Sequence, residues 1–221
     1  NRFELMKLNV VRPDGKPERF DESEFSEYEA SWSPDGKRVL YSFVKLTPGQ
    51  GDLDVYVTDG NGGEPRLVLG TNGALSHEES PTWSPDGHRI ALVSTRHGNQ
   101  EIYTCTPDGG DLQRLTTDPS LDKSPCWADD GRIYFSTGRW GDLEIASMKS
   151  DGSDLKRLTE SRGIYDYPAL NPDGKELAFV TNRDGDFEIY VLNLSTGEMN
   201  NVTNSPGVEN FPAWSPSGKL A

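Results

Sequence analysis

The sequence predicts an all-β fold built from a repeated four-stranded antiparallel sheet, and three observations carry that prediction. The first is the octet Ser80-Pro81-Thr82-Trp83-Ser84-Pro85-Asp86-Gly87, with close copies at Ala30–Gly36, Pro125–Gly131, Pro168–Gly174 and Pro212–Gly218. Its central position reads Trp32, Trp83, Trp127, Leu170 and Trp214, a period in the forties after a longer first interval. The second is the alternating run of branched and aromatic residues that follows each copy, with no stretch carrying the 3.6-residue apolar period of a helix. The third is punctuation: 23 glycines and 15 prolines fall at regular places, which argues for many short strands and turns rather than disorder.

Within one repeat the elements follow in order. The octet supplies strand A and its turn. In Ser-Pro-Asp-Gly the proline presets the first corner, the aspartate bonds back to the backbone, and the glycine supplies the positive φ that re-enters the sheet. Strand B comes next, at Arg38–Ser42, Arg89–Ser94, Arg132–Ser136 and Glu176–Val180. A loop then leads to an acidic residue that opens strand C, at Asp54–Val57, Glu101–Thr104, Glu144–Ser147 and Glu188–Val191. A turn such as Pro107–Gly110 or Ser150–Ser153 precedes a short strand D, Arg114-Leu115-Thr116 or Arg157-Leu158-Thr159.

A four-stranded sheet buried on both faces cannot stand alone, and repeating it around an axis gives a β-propeller. Trp-Ser-Pro-Asp-Gly followed by Arg-Ile-Ala-Leu-Val-Ser, with Asn182-Arg183-Asp184-Gly185-Asp186-Phe187-Glu188-Ile189-Tyr190 and the Arg-Leu-Thr strand, resembles the TolB-like, WD40-related β-propeller repeat. The resemblance spans nearly the whole chain. It implies the fold, and a family of periplasmic binding scaffolds and noncatalytic propellers of serine peptidases. The repeats divide the chain into blades at 27–69, 78–117, 122–159 and 165–203, with a further blade shared by 1–21 and 208–221. Phe3–Met6 would be strand C of that shared blade, Pro13-Asp14-Gly15 its turn and Glu18–Phe20 its strand D. The favoured reading is a single domain of five blades closed by the termini; the rival is a segment of a larger, six-bladed propeller.

A formal net charge of −14 excludes nucleic acid as a natural partner, because phosphate binding needs clustered Lys and Arg. No apolar run reaches the length of a membrane span and no signal peptide opens the chain, which starts without Met and is consistent with a removed targeting segment. Extracytoplasmic, periplasmic localisation follows from the resemblance. The two cysteines do not make a disulfide framework. Cys105 is expected at the end of strand C and Cys126 at the loop-side start of strand A, too far apart to bridge.

Three positions before the octet's proline stand Glu27, Glu78, Asp122, Tyr165 and Glu209, with Asp166 adjacent in the odd copy. Around a propeller axis these form an acidic collar at one channel mouth, able to accept Lys and Arg of an entering peptide or to hold a cation such as calcium. Each carboxylate can equally cap its own turn. The B-to-C loops of the same face carry His97, Arg139 and Trp140, with Lys45–Asp52 as a longer loop; Trp140 is the best aromatic anchor for a partner. Asn182, Asp184, Asp186 and Glu188 have calcium-loop spacing but Phe187 where that loop needs glycine. No Gly-x-Ser-x-Gly or His-Glu-x-x-His pattern is present, and the three histidines form no ligand set.

The sequence therefore predicts a noncatalytic scaffold, without a cofactor, that binds a protein or peptide with a basic contact surface, as a monomer or self-associating through open blade edges. The alternative is the propeller of an enzyme, either a serine peptidase gating domain or a carbohydrate-active propeller.

Overall fold

The structure, a computed structural model, describes residues 9–11, 17–19, 26–44, 52–70, 76–160 and 162–221. The expected strand at Phe3–Met6, the turn at Pro13–Gly15 and most of the Lys45–Asp52 loop lie outside these residues. The described residues contain no helix. The strands are β1 (Asn9–Val11), β2 (Pro17–Arg19), β3 (Ser26–Trp32), β4 (Arg38–Val44), β5 (Leu53–Asp59), β6 (Arg66–Leu69), β7 (Glu78–Trp83), β8 (Ile90–Ser94), β9 (Glu101–Cys105) and β10 (Gln113–Arg114). They continue with β11 (Asp122–Trp127), β12 (Arg132–Trp140), β13 (Asp142–Lys149), β14 (Lys156–Arg157), β15 (Tyr165–Leu170), β16 (Glu176–Thr181), β17 (Glu188–Asn193) and β18 (Met199–Asn201). Among the described residues these form four sheets of four strands, β3–β6, β7–β10, β11–β14 and β15–β18, each in chain order, with β1 and β2 as an antiparallel pair. After β18 a single bridge joins Trp214 to Leu220.

The chain divides into two compact units, residues 1–99 with 103–113, and 100–102 with 114–221. Each is a pair of sheets packed face to face. In the first, Leu40, Val55 and Val57 meet Trp83, Ile90 and Leu92 in one buried cluster. In the second, Tyr134 and Ile145 meet Tyr165, Leu177 and Phe179. Strand B is largely buried, as at β8, where all five residues are inaccessible.

The A-to-B turn forms as its chemistry predicts. Ser84 Oγ donates to Asp86 at 2.6 Å and accepts from the Arg89 amide at 2.8 Å, while Gly87 donates to the Ser84 carbonyl at 2.9 Å with φ +69°. Strand A differs from the expected plain strand. Each inner strand carries a β-bulge, with register shifts between Tyr28 and Ser31, Glu79 and Thr82, Lys123 and Cys126, and Asp166 and Ala169. At every bulge a non-glycine residue has positive φ: Glu29, Ser80, Ser124 and Tyr167, and Phe211 at the same point of the next copy. Proline follows four of these five residues. A bulged residue is left out of the ladder, so the N–H that proline lacks is not missed there.

The bulge also moves the start of the strand. Strand A begins at Glu78, Asp122 and Tyr165, upstream of the proline that looked like its beginning. Cys126 consequently sits at the turn end of β11, next to Trp127, and not at its loop-side start; the separation argument against pairing fails, while both cysteines are nonetheless free.

Candidate functional site

The end of each sheet from which the D-to-A and B-to-C loops emerge gathers the charged candidates. Glu78 opens β7 and is fully buried. Its Oε1 accepts from Ser76 at 2.8 Å, from Ser94 at 2.8 Å and from the Arg96 guanidinium at 3.0 Å. Asp122 opens β11, equally buried, and Arg139 reaches its Oδ2 at 2.8 Å. Burial pushes the Asp122 carboxyl above its ordinary value, opposed by hydrogen bonding from Thr137 and by the Arg139 charge. In the second and third sheets the first arginine of the B-to-C loop thus reaches back to the acid that starts the same sheet. The fourth sheet breaks the pattern: the position holds Tyr165, and Arg183 lies 3.9 Å from Asp184 and over the Tyr190 ring.

A second carboxylate opens strand C, and here the Arg-Leu-Thr strand acquires its role. Glu101 accepts from Arg114 at 2.8 Å and from Thr116 at 2.5 Å; Glu144 accepts from Arg157 at 3.1 Å and from Thr159. Glu188 accepts from Thr203 and from the Ser205 amide at 2.9 Å, and the Thr203 bond is the largest cause holding its carboxyl below the ordinary value. The same threonines accept the amides of Ile102, Ile145 and Ile189. Each clamp ties strands C and D where strand D is only two or three residues long. Sequence reading passed over these residues as strand filler, although Glu, Arg and Thr at fixed spacing in successive copies were a visible signal.

The remaining candidates fall as follows. Glu27 lies in β3 opposite Phe43, with its side chain outside the described ones. His97 is exposed, with Nδ1 2.5 Å from the Tyr103 hydroxyl and its ring stacked on that tyrosine. Asp166 is buried and joins two sheets: it accepts from Ser124 at 2.9 Å, Ser136 at 2.8 Å and the Tyr167 amide at 2.8 Å, and pairs with Lys123 at 2.5 Å. Glu209 lies outside any strand and accepts from Ser205 at 2.5 Å. Asn182, Asp184 and Glu188 serve separate partners, namely the Ile164 amide, the Tyr190 hydroxyl and the Thr203 clamp. Among the described residues no group of three or more His, Cys, Asp or Glu converges to hold a metal ion.

Several apolar side chains are exposed at this end of the second unit, among charged ones. Trp140, 38% exposed, tips the β12–β13 hairpin, with the Arg139 and Arg157 guanidiniums 5.8 and 5.0 Å from its ring. His97 and Asp184, its counterparts, pair with Tyr103 and Tyr190; the third sheet has Ala146 there, and Trp140 lies on the arginines instead. Leu121 and Ile164, each one residue before strand A, are exposed, and so is Val208 at the same point of the last copy. Phe211 is exposed beside Tyr167, ring centroids 4.5 Å apart. Sequence reading found Trp140 but missed the column Ser26, His77, Leu121, Ile164, Val208, which turns apolar in the last three copies.

The family described as the TolB beta propeller domain matches residues 4–167. This chain belongs to it. Curated relatives match shorter stretches: the Tol-Pal system protein TolB of Thioalkalivibrio sulfidiphilus is 35% identical over 36% of this chain and 18% of its own length. The uncharacterized peptidase YuxL of Bacillus subtilis is 31% identical over 48% of this chain and 16% of its own. Among solved structures, TolB from Acinetobacter baumannii superposes with a TM-score of 0.78 at 24% identity, covering 96% of this chain and 52% of that one. The chain thus spans about half of that TolB and a smaller share of the curated relatives. In the TolB-like fold the four sheets are blades, and the bulged β3, β7, β11 and β15 are their inner strands.

Proposed function

We propose that this chain is a noncatalytic, protein-binding TolB-like propeller domain, working outside the cytoplasm, that takes its partner on the loop end of the second unit. The observation that carries this reading is Trp140. It is an exposed indole on a tight hairpin, backed by two arginines that are themselves fixed by the buried Asp122 and Glu144. A rigid aromatic of this kind anchors interfaces, because little side-chain freedom is lost when it is covered. Leu121 and Ile164, exposed just before β11 and β15, add apolar area to the same end of the unit. The exposed Asp142 is paired with Trp140 across the hairpin and the exposed Glu160 lies beside Arg157, which favours a partner that is basic at the contact. Asp122 serves this surface indirectly, by fixing Arg139, as Glu78 fixes Arg96 in the first unit.

The test is affinity purification with tagged wild-type chain and the Trp140→Ala variant from extracytoplasmic extract. One partner is expected to be retained by the wild type, lost by at least about tenfold with the variant, and weakened by salt. Equal retention by both proteins removes this surface from the reading.

A second reading is favoured by the match to a peptidase: the same domain would be the gating propeller of an enzyme. Sequencing the flanking reading frame decides between them, because the peptidase reading requires a Gly-x-Ser-x-Gly elbow on the same polypeptide.

A further inference from the structure

On the opposite, turn-side end of the second unit lies a hollow of about 370 Å³ lined by Cys126, Trp127, Leu170, Pro172, Trp214 and Pro216. Its size is within the range of small-molecule sites, roughly 300–1,000 Å³. Its origin is legible in the repeat. Four of the five copies place tryptophan at the octet's centre, and the fourth places Leu170.

The first unit shows what an indole does at this position. Trp83 is buried to 3% exposure in the cluster between two blades, donates its Nε1–H to the Ser31 carbonyl at 3.2 Å, and lies 4.4 Å under the Arg38 guanidinium. Trp214 repeats the bond one copy after Leu170, donating to the Ala169 carbonyl at 3.0 Å. In each case the acceptor is the residue just before the preceding copy's central position. For Leu170 that acceptor is Cys126, a residue that lines the hollow, and leucine has no N–H to give it.

We propose that this hollow is a binding site for an indole ring, occupying the space of the missing repeat tryptophan and donating its ring N–H to the Cys126 carbonyl. The lining suits that ligand. Two indoles, from Trp127 and Trp214, offer aromatic surface for stacking or edge contacts, and Leu170, Pro172 and Pro216 supply aliphatic surface. Asp129 and Asn171 also line the hollow, but its wall is more apolar than polar, so an apolar ring that expels water from it is favoured. The occupant is either a free indole-type molecule or a tryptophan side chain of another polypeptide, which the same chemistry would hold.

The experiment is saturation-transfer NMR and calorimetry with indole, 1-methylindole and N-acetyl-tryptophan amide on the full chain and its Leu170→Trp variant. Indole is expected to bind the wild type, and 1-methylindole, whose ring N–H is blocked, to bind several-fold more weakly. In L170W the built-in ring fills the site, so indole binding falls at least about tenfold and Tm rises. If L170W does not fold, Leu170→Phe, with a smaller ring, is read in the same way. Binding of the amide as tight as that of indole identifies a polypeptide source, and exclusion of the amide identifies a free molecule. The proposal is overturned if indole gives no signal with the wild type, binds both proteins equally, or is matched by 1-methylindole. Trp140→Ala lies at the other end of the blades and is expected to leave indole binding unchanged, so failure of this site and failure of the protein-binding surface are separate results.

Discussion

Gly87 and Gly109 both hold positive φ, +69° and +83°, yet they are constrained differently. A Cβ on Gly87 would meet nothing nearer than 3.7 Å, whereas one on Gly109 would sit 2.0 Å from the Val68 carbonyl oxygen. Gly87→Ala therefore carries only the backbone strain of a left-handed residue, about 1–2 kcal/mol. Gly109→Ala adds a clash with main chain, and is expected to cost clearly more in urea unfolding; equal losses would place the strain elsewhere. Gly87 was legible from its Pro-Asp-Gly context. Gly109 was legible as a turn residue only, because its demand comes from a blade forty residues earlier. Cys126 was misplaced for a related reason: a proline inside a strand reads locally as a strand start, and only register against β12 shows the bulge that admits it.

At the scale of elements, the carboxylate–arginine pairs fasten loops to strands. Asp122 is inaccessible and the Arg139 side chain is 14% exposed. Removing the guanidinium by Arg139→Leu strands a buried charge, for which about 3 kcal/mol of destabilisation is expected. Adding Asp122→Asn should recover part of it, so the double variant unfolds less easily than the sum of the single losses predicts. Strict additivity in a denaturant series would show that the pair is not coupled. The strands themselves were legible because apolar alternation and turn residues agree. The pairings were not, since any acid can meet any base until the register puts Asp122 opposite Thr137 and Glu144 opposite the same residue on its other side.

For the molecule as a whole, the acid response is set at the turns. Asp86 is held below its ordinary 3.8 first by the Ser84 hydroxyl, Asp173 by Lys175, Asp151 by Ser153, and Asp111 and Asp154 by Arg89 and Arg132. Between these lowered values and 3.8 the unfolded chain binds more protons than the folded one. Their stabilisation is therefore complete above 3.8 and is lost as pH falls through the folded values. Asp122 acts in the opposite sense: its raised carboxyl makes the folded chain the better proton binder above 3.8, so its share declines as pH rises through that window. Thermal melts are expected to drop below about pH 3.8 and to drop less steeply when Asp86, Asp151 and Asp173 are replaced by Asn. An unchanged acid profile in that triple variant would move the origin of the loss away from the turns. The clamps of strand C have a consequence of another kind. Glu144 finds Arg157 and Thr159 within 15 residues along the chain, Glu101 finds Arg114 and Thr116 at the same spacing, and Asp122 finds Arg139 within 17. A stretch of DNA encoding one blade therefore carries the partners of its own clamps, so duplicating or recombining a blade keeps those carboxylates paired, while the Asp166–Lys123 pair ties two neighbouring sheets together; loop tips such as Trp140 and central positions such as Leu170 are left free to diverge one copy at a time.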